Sequence, residues 1–396
     1  MQAVLLAAGE GTRMRPLTAS TPKPMLPVAD RPLVAHTADA VVDGGVDELV
    51  LVVGYEAEDV RSYFGSEYRG VPVEYAVQDE QLGTAHAVAC AREHIDGPFA
   101  VLNGDDLYDR ESVAELLATG SEGPAVCTYH ADQPENYGVV QVEDGAVTDI
   151  VEKPSNPTTN LVNVGAYVFP PEAREWLDVP KSERGEHEIT DVLARVIEER
   201  RVQPVTVERW LGGGRPWELL EANEWKLGEL DRDIAGDVHS SADLRGPVVV
   251  EEGATVDAGV VVEGPALIRD GAELGPNAYV RGATLLAEDT HVGNGVEIKN
   301  SVVMGNSAVP HLSYVGDSVL GTDVNFGAGT KVANLRHDGA DVRFTVKGER
   351  VSTGRRKFGV VAGPGVKTGI NTSLNPGVCL SAGATTVPGE SVTRDR

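Results

Sequence analysis

The chain has 396 residues, room for two domains at roughly 100–200 residues each, and its 34 basic against 61 acidic residues give a net charge of −27. So negative a surface repels nucleic acid and anionic lipid, and no apolar run approaches the ~20 residues of a membrane span. The N-terminus lacks a signal-peptide layout, and the three cysteines (Cys90, Cys127, Cys379) lack metal spacing, so a reducing cytoplasm is expected.

In chain order, Ala3–Ala8 reads as a buried strand that runs directly into Gly9-Glu10-Gly11-Thr12-Arg13, with Pro22-Lys23-Pro24 following. Glycines after a strand let backbone N–H groups approach phosphates, and the arginine and lysine supply charge. The spacing is neither the dinucleotide fingerprint nor the P-loop. Pro32–Asp43, Ala85–Arg92 and Ser112–Leu117 read as helices that alternate with apolar strands at Glu48–Val53, Phe99–Leu102 and Ala125–Tyr129. That alternation predicts an α/β fold with a mostly parallel, helix-covered sheet and sites at strand C-termini. A helix at Pro216–Asp231 closes this half, and the boundary falls near Ala235–Leu244.

From Val248 the grammar changes. Aliphatic residues recur every six positions: Val250, Val256, Val262, Ile268, Leu274, Val280, Leu286, Val292, Ile298 and Met304. The register slips around Pro310–Val315, returns at Leu320 and Phe326, and resumes at Thr368, Leu374 and Leu380. A hexapeptide period with glycines at turns predicts a parallel β-helix, with Asn334–Lys357 leaving the coil as a polar, basic loop.

The first half resembles the sugar-1-phosphate nucleotidyltransferase family. The resemblance rests on Leu6-Ala7-Ala8-Gly9-Glu10-Gly11-Thr12-Arg13 with Pro22-Lys23-Pro24, on Gln78 through Ala85, on Asn103-Gly104-Asp105, and on Tyr137-Gly138, Glu152-Lys153-Pro154 and Asn163-Val164-Gly165. It implies a Rossmann-like domain over 1–235. Ala8, Gly9, Gly11, Thr12, Gln78, Gly83 and Thr84 would bind UTP or dTTP, and Gly138, Glu152, Lys153 and Asn163 the sugar phosphate. Arg13 and Lys23 would be catalytic and Asp105 would hold Mg²⁺. The attacking phosphate oxygen is already an anion, so the chemistry needs charge compensation and in-line positioning rather than a base. One departure stands out: many relatives place a second metal-binding aspartate where this chain has Gly212.

The second half resembles the acetyltransferase half of bifunctional N-acetylglucosamine-1-phosphate uridylyltransferases, through the stretch Val309–Asp317, then Asn325-Phe326-Gly327-Ala328 and Asn334. The resemblance implies a left-handed coil over 245–396, assembled as a homotrimer. His311 would be the base for amine acetylation, and Arg281, Lys299, Tyr314, Asn325 and Asn334 would bind the amino-sugar phosphate. Ala328 would lie at the acetyl-CoA thioester. The basic loop with Arg355 and Arg356 offers an anchor for the phosphates of CoA. An ammonium must lose a proton before it can attack a thioester, and a histidine can take it near neutral pH. The alternative is a monofunctional nucleotidyltransferase of glucose or mannose type, whose β-helix is structural or regulatory. Either way the partners are small molecules, with no nucleic acid and no membrane.

Overall fold

The computed structural model describes residues 1–54 and 57–396. The chain forms two compact units, one of residues 1–10, 22–25 and 32–212, the other of 11–21, 26–31 and 213–396.

In the first unit the strands are β1 (Gln2–Leu6), β2 (Glu48–Val53), β3 (Val71–Val77), β4 (Phe99–Asn103), β5 (Ala125–His130), β6 (Gly138–Glu143), β7 (Ala146–Glu152), β8 (Leu161–Phe169) and β9 (Gln203–Thr206). The helices are α1 (Leu33–Asp43), α2 (Ala57–Phe64), α3 (Thr84–Cys90), α4 (Arg110–Gly120) and α5 (Ile189–Glu199). β1 lies between β2 and β4, parallel to both, with Leu6 opposite Val52 on one side and Asn103 on the other. β3 extends the parallel part beyond β2, and β8 joins β4 antiparallel. Helices cover both faces, so the central strands are apolar throughout rather than alternating. In β1, Ala3 and Leu5 enter one core cluster while Val4 enters the other. The β6–β7 hairpin turns at Asp144 and Gly145, both at positive φ (48° and 70°), which suits a tight primed turn. Asp109 caps α4 by accepting from the Ser112 N–H at 2.8 Å.

The second unit holds α6 (Pro216–Leu227) and a coil of short parallel strands on three faces. Going up the coil, the first face starts at Asp233–Ile234, the second at Asp237–Val238 and the third at Asp243–Arg245. The lower coils repeat every 18 residues, as Val250 opposite Ile268 and Ile268 opposite Leu286 show. The inward aliphatics stack as columns that form one continuous core. Corners need left-handed backbone, taken by Asn277, Asp289, Asn300 and Asn306 at φ 46° to 58°.

One sequence expectation is corrected here. The register does not slip around Pro310–Val315: Val309 and Val315 both point inward at the regular spacing. It contracts instead at the corner between the third and first faces, where Val303, not Met304, lies opposite Leu286, and again where Leu320 lies opposite Val303. Each contraction makes that coil 17 residues long, as Glu297 opposite Tyr314 shows. The polar loop does leave the coil. Val332 pairs with Leu374, 42 residues on, and the excursion carries a hairpin of Arg343–Val346 with Glu349–Ser352. The helix α6 lies in the second unit, where Asn300 of the coil and Arg355 of the loop both bond its Glu224. Trp217 of α6 also packs edge-to-face on Phe344 and Phe358.

Candidate functional site

In the first unit the chemistry collects where β1, β3 and β4 end. A cavity of about 290 Å³ opens there, lined among others by Ala8, Gly9, Lys23, Gln78, Thr84 and Asp105. A Cβ built on Gly9 meets nothing within 4 Å, so its backbone faces open space. Lys23, 5% exposed, lies in a single 3-10 turn and extends its ammonium to the Asp105 carboxylate. Gln78 donates to Gly83 O at 3.1 Å and contacts His86 Nδ1 at 3.0 Å. Gly83, at φ 120°, has no room for a side chain: a Cβ would stand 2.4 Å from His187 O. Thr84 Oγ1 accepts from the Ile189 N–H at 3.0 Å.

Sequence reasoning passed over two residues here. Gln81 donates to Ala8 O at 2.7 Å and ties the loop after β3 to the loop after β1. Asp106 is buried beside Asp105 and accepts from Asn103 Nδ2 at 3.2 Å and Trp210 Nε1 at 3.3 Å. Burial, then the charge of Asp105, pushes its pKa up to about 7, against the pull of Lys23 and the two hydrogen bonds. Gly212 pairs with Asp106, and a Cβ there would stand 3.6 Å from Asp106 Oδ1.

The sugar-segment residues of the same unit are brought together in part. Gly138 pairs with Glu152, and a Cβ on it would press Glu152 Oε2 at 3.0 Å. Glu152 also holds Arg184 at 3.0 Å, and Lys153 is exposed at φ 45°. Asn163 accepts from the Gly165 N–H at 2.9 Å and donates to Tyr167 Oη at 2.6 Å. Gly11, Thr12 and Arg13 belong to the second unit. Gly11, at φ 62°, opens the Thr12–Met14 turn, and Arg13 is exposed, its guanidinium beside Gly214.

In the coil, register stacks Arg281 on Lys299 along the third face, and Tyr314 lies one strand further on. Lys299 Nζ pairs with Asp317 at 2.7 Å, and Asn334 donates to Tyr314 Oη at 3.1 Å and to Asp317. Arg281 pairs with Glu297 at 2.8 Å. Four expected sugar-phosphate residues therefore share one face. His311, Asn325 and Ala328 lie on and beside the second face. His311 pairs with Asn294, Gly329 next to Ala328 donates to His311 O at 2.9 Å, and Asn325 bridges Ala308. The His311 and Asn325 side chains are exposed. Arg355, expected at CoA, is turned to Glu224, with one bond at 3.2 Å, while Arg356 and Lys357 are exposed.

Among the described residues no three His, Cys, Asp or Glu side chains group to hold a metal ion. Asp105 on the lining of this cavity nonetheless fits Mg²⁺, which binds through one or two carboxylates plus substrate phosphates rather than in an all-protein cage.

A glycine-turn α/β domain with a cavity at its strand ends, followed along the chain by a hexapeptide parallel β-helix, defines the class. The chain belongs to the nucleotidyl transferase family, whose model matches residues 2–227. The GMPPB C-terminal domain matches residues 262–362. Bifunctional protein GlmU of Methanocaldococcus jannaschii is 41% identical over 381 residues, 96% of this chain and 91% of that protein. The bifunctional sugar-1-phosphate nucleotidylyltransferase/acetyltransferase of Sulfurisphaera tokodaii is 36% identical over all of this chain and 98% of its own. Among solved structures, UDP-glucose pyrophosphorylase complexed with UDP-glucose is 25% identical at TM-score 0.52, over 56% of this chain and 96% of that one. No helix among the described residues is long and apolar enough to cross a membrane.

Proposed function

We propose that the chain is a bifunctional enzyme that acetylates an amino-sugar 1-phosphate of the glucosamine type with acetyl-CoA and transfers a nucleotidyl group to it from UTP or dTTP. The observation that carries this reading is that one chain holds two cationic constellations, Lys23 against Asp105 in the first unit and Lys299 stacked on Arg281 in the second. Relatives that match nearly the whole chain are named for both activities together.

In nucleotidyl transfer, a sugar-phosphate oxygen attacks the α-phosphorus and the bond to the β-phosphate breaks, releasing pyrophosphate. Lys23 and Gly9 line the cavity; Lys23 neutralises the reacting phosphates, and the Gly9 backbone offers close approach. Arg13 supplies further charge to the triphosphate. Asp105 would hold Mg²⁺, which stabilises charge building on the leaving phosphates. Ala8, Gly11, Thr12, Gln78, Gly83 and Thr84 shape the nucleotide site, and Gly138, Glu152, Lys153 and Asn163 the sugar site.

In acetyl transfer, His311 takes the amine proton as nitrogen attacks the thioester carbon, and the CoA thiolate leaves. Arg281, Lys299, Tyr314, Asn325 and Asn334 bind the acceptor, and Ala328 flanks the thioester. With Arg355 engaged by Glu224, Arg356 is the expected CoA anchor of the two that stays exposed to take its phosphates. We assign the first chemistry to residues 1–235 and the second to 245–396. We further propose a left-handed coil, a cytoplasmic homotrimer, and acceptor sites completed between copies, which would bring His311 and the third-face residues to one groove.

Purified protein given glucosamine 1-phosphate, acetyl-CoA, UTP or dTTP and Mg²⁺ should release CoA thiol and pyrophosphate and form a nucleoside-diphosphate N-acetyl sugar. Pyrophosphate release without CoA release from any amino-sugar phosphate would sink the acetyl half and favour the monofunctional reading.

A further inference from the structure

Asp317 lies at the meeting point of the third-face cluster, yet neither activity as proposed assigns it a role. It follows Gly316 at a corner, at φ 50°, and its side chain is 4% exposed. Three donors converge on its carboxylate: Lys299 Nζ at 2.7 Å, Asn300 Nδ2 at 3.0 Å, and Asn334 Nδ2. Asn300 also donates to Glu224 on α6 at 2.7 Å, so the carboxylate is braced from behind. Gly316 keeps the space clear: a Cβ there would stand 2.4 Å from Tyr314 Oη and 2.7 Å from Asn334 Nδ2.

An ionised carboxylate only accepts hydrogen bonds. Asn334 must therefore turn its NH₂ to Asp317, because the opposite flip would set its carbonyl oxygen against the carboxylate. That NH₂ spends one hydrogen on Asp317 and the other on Tyr314 Oη at 3.1 Å. Asn334 Oδ1 is left with no protein donor among the described residues, and the Tyr314 hydroxyl, which accepts from Asn334, keeps its own hydrogen to give. Burial, then the charges of Asp317 and Glu297, raises the Tyr314 phenol, so it remains a donor at neutral pH. The face thus shows one acceptor and one donor side by side, with Lys299 tethered next to them.

We propose that Asp317 is a positioning residue of the acetyl-acceptor site: it sets Asn334 Oδ1 to accept from the acceptor's amine N–H, and it pre-orients Lys299 for the acceptor's phosphate. This rests on the acetyl-transfer reading. Lys299 would otherwise lose rotamer freedom on binding, and a fixed counter-charge removes that cost in advance. The amine contact would separate an amino sugar from a neutral sugar of the same shape.

The test uses the full chain and two ligands, glucosamine 1-phosphate as acetyl acceptor and glucose 1-phosphate as its competitive inhibitor. Wild type should show a Ki for glucose 1-phosphate well above the KM for glucosamine 1-phosphate. In Asp317→Asn that ratio should collapse towards one, with the acceptor KM rising ~10- to 100-fold, the weight of a hydrogen bond to a charged group. The KM for acetyl-CoA should move less than about twofold, since only acceptor binding is touched. Nucleotidyl transfer, which uses none of these residues, reports whether the variant is folded. A folded variant with the ratio unchanged overturns the proposal, as does a uniform loss in every parameter. Should Asp317→Asn not fold, the exchange Asp317→Asn with Asn334→Asp keeps the charge count and leaves an acceptor at position 334. Amine preference retained there supports the proposal, and preference lost overturns it. Absence of acetyl transfer in wild type would instead fail the reading beneath it.

Discussion

The ammonium of Lys23 is buried against the carboxylate of Asp105, two groups 82 residues apart that meet at the mouth of the strand-end cavity. Asp105 is about a third exposed, so the pair is open to a third partner on one side. Asp105→Asn keeps the shape and removes the charge. Nucleotidyl transfer should fall by at least ~10²-fold and lose its dependence on Mg²⁺. The variant's Tm should drop, because Lys23 is left without its counter-charge, and metal-free UTP should restore it by supplying a new anion. A thermal-shift series with and without UTP checks this, and no recovery would detach Lys23 from the phosphates.

Gly212 stands opposite Asp106, and a Cβ there would fit in ordinary contact, 3.5 Å from the Trp210 ring and 3.6 Å from Asp106 Oδ1. Gly212→Asp should place another carboxylate beside the pair at 105 and 106. Mg²⁺ requirement in nucleotidyl transfer should tighten ~10-fold, as added ligand charge does at oxygen sites. In chelator the same variant should melt below wild type through like-charge repulsion. An unchanged Mg²⁺ titration would argue that residue 212 does not face the metal.

Asp106 carries a pH dependence of its own. Its folded pKa of about 7 lies above the ordinary aspartate value of 3.8, so the folded state holds the proton more tightly than the unfolded chain. Stability from this group is therefore complete below the unfolded value and is lost as pH rises through about 7. Asp106→Asn is neutral at every pH and keeps an acceptor for Asn103 and Trp210. In metal-free buffer it should raise the unfolding free energy measured by urea melts at about pH 8, by at most a few kcal/mol, with the gain shrinking towards about pH 5. A gain of equal size at both ends would show that Asp106 is not titrating across this range.

The His311 side chain is exposed and has no hydrogen-bond partner among the described residues, so its removal should cost no stability. His311→Ala should lose ~10²- to 10⁴-fold in acetyl transfer. Nucleotidyl transfer to a preacetylated sugar 1-phosphate should stay at the wild-type rate. Acetylation at full rate in the variant would remove His311 as the base.

The two halves were legible to different depths. A closed coil repeats its inward positions every six residues, and filling one of them with large aliphatics writes the period directly into the sequence from Val250 to Ile298. The pattern failed at the first contraction because Val303 and Met304 are adjacent, apolar and both buried, so only strand pairing tells which one faces the core. Motif reasoning reached Lys23 and Asp105 separately, but their ion pair depends on the sheet bringing distant loops together. Asp317 was hidden by its own context. Asp289 and Asp323 occupy corners with similar backbone, and nothing local distinguishes the one that gathers three donors. Arg355 looked like part of a free basic run until α6, 131 residues earlier, brought Glu224 to it.

The parallel stacking of the coil also makes the length of this half discrete. Each turn must return its inward aliphatics to the columns above and below, so removing or adding a single residue within a strand would turn every later side chain to the wrong side. Change can enter at corners, as the one-residue contractions after Ile298 and Val315 did, or as an excursion such as the one after Val332 that rejoins the same column at Leu374. Otherwise this half can grow or shrink only by whole turns, as a spiral staircase does by whole flights.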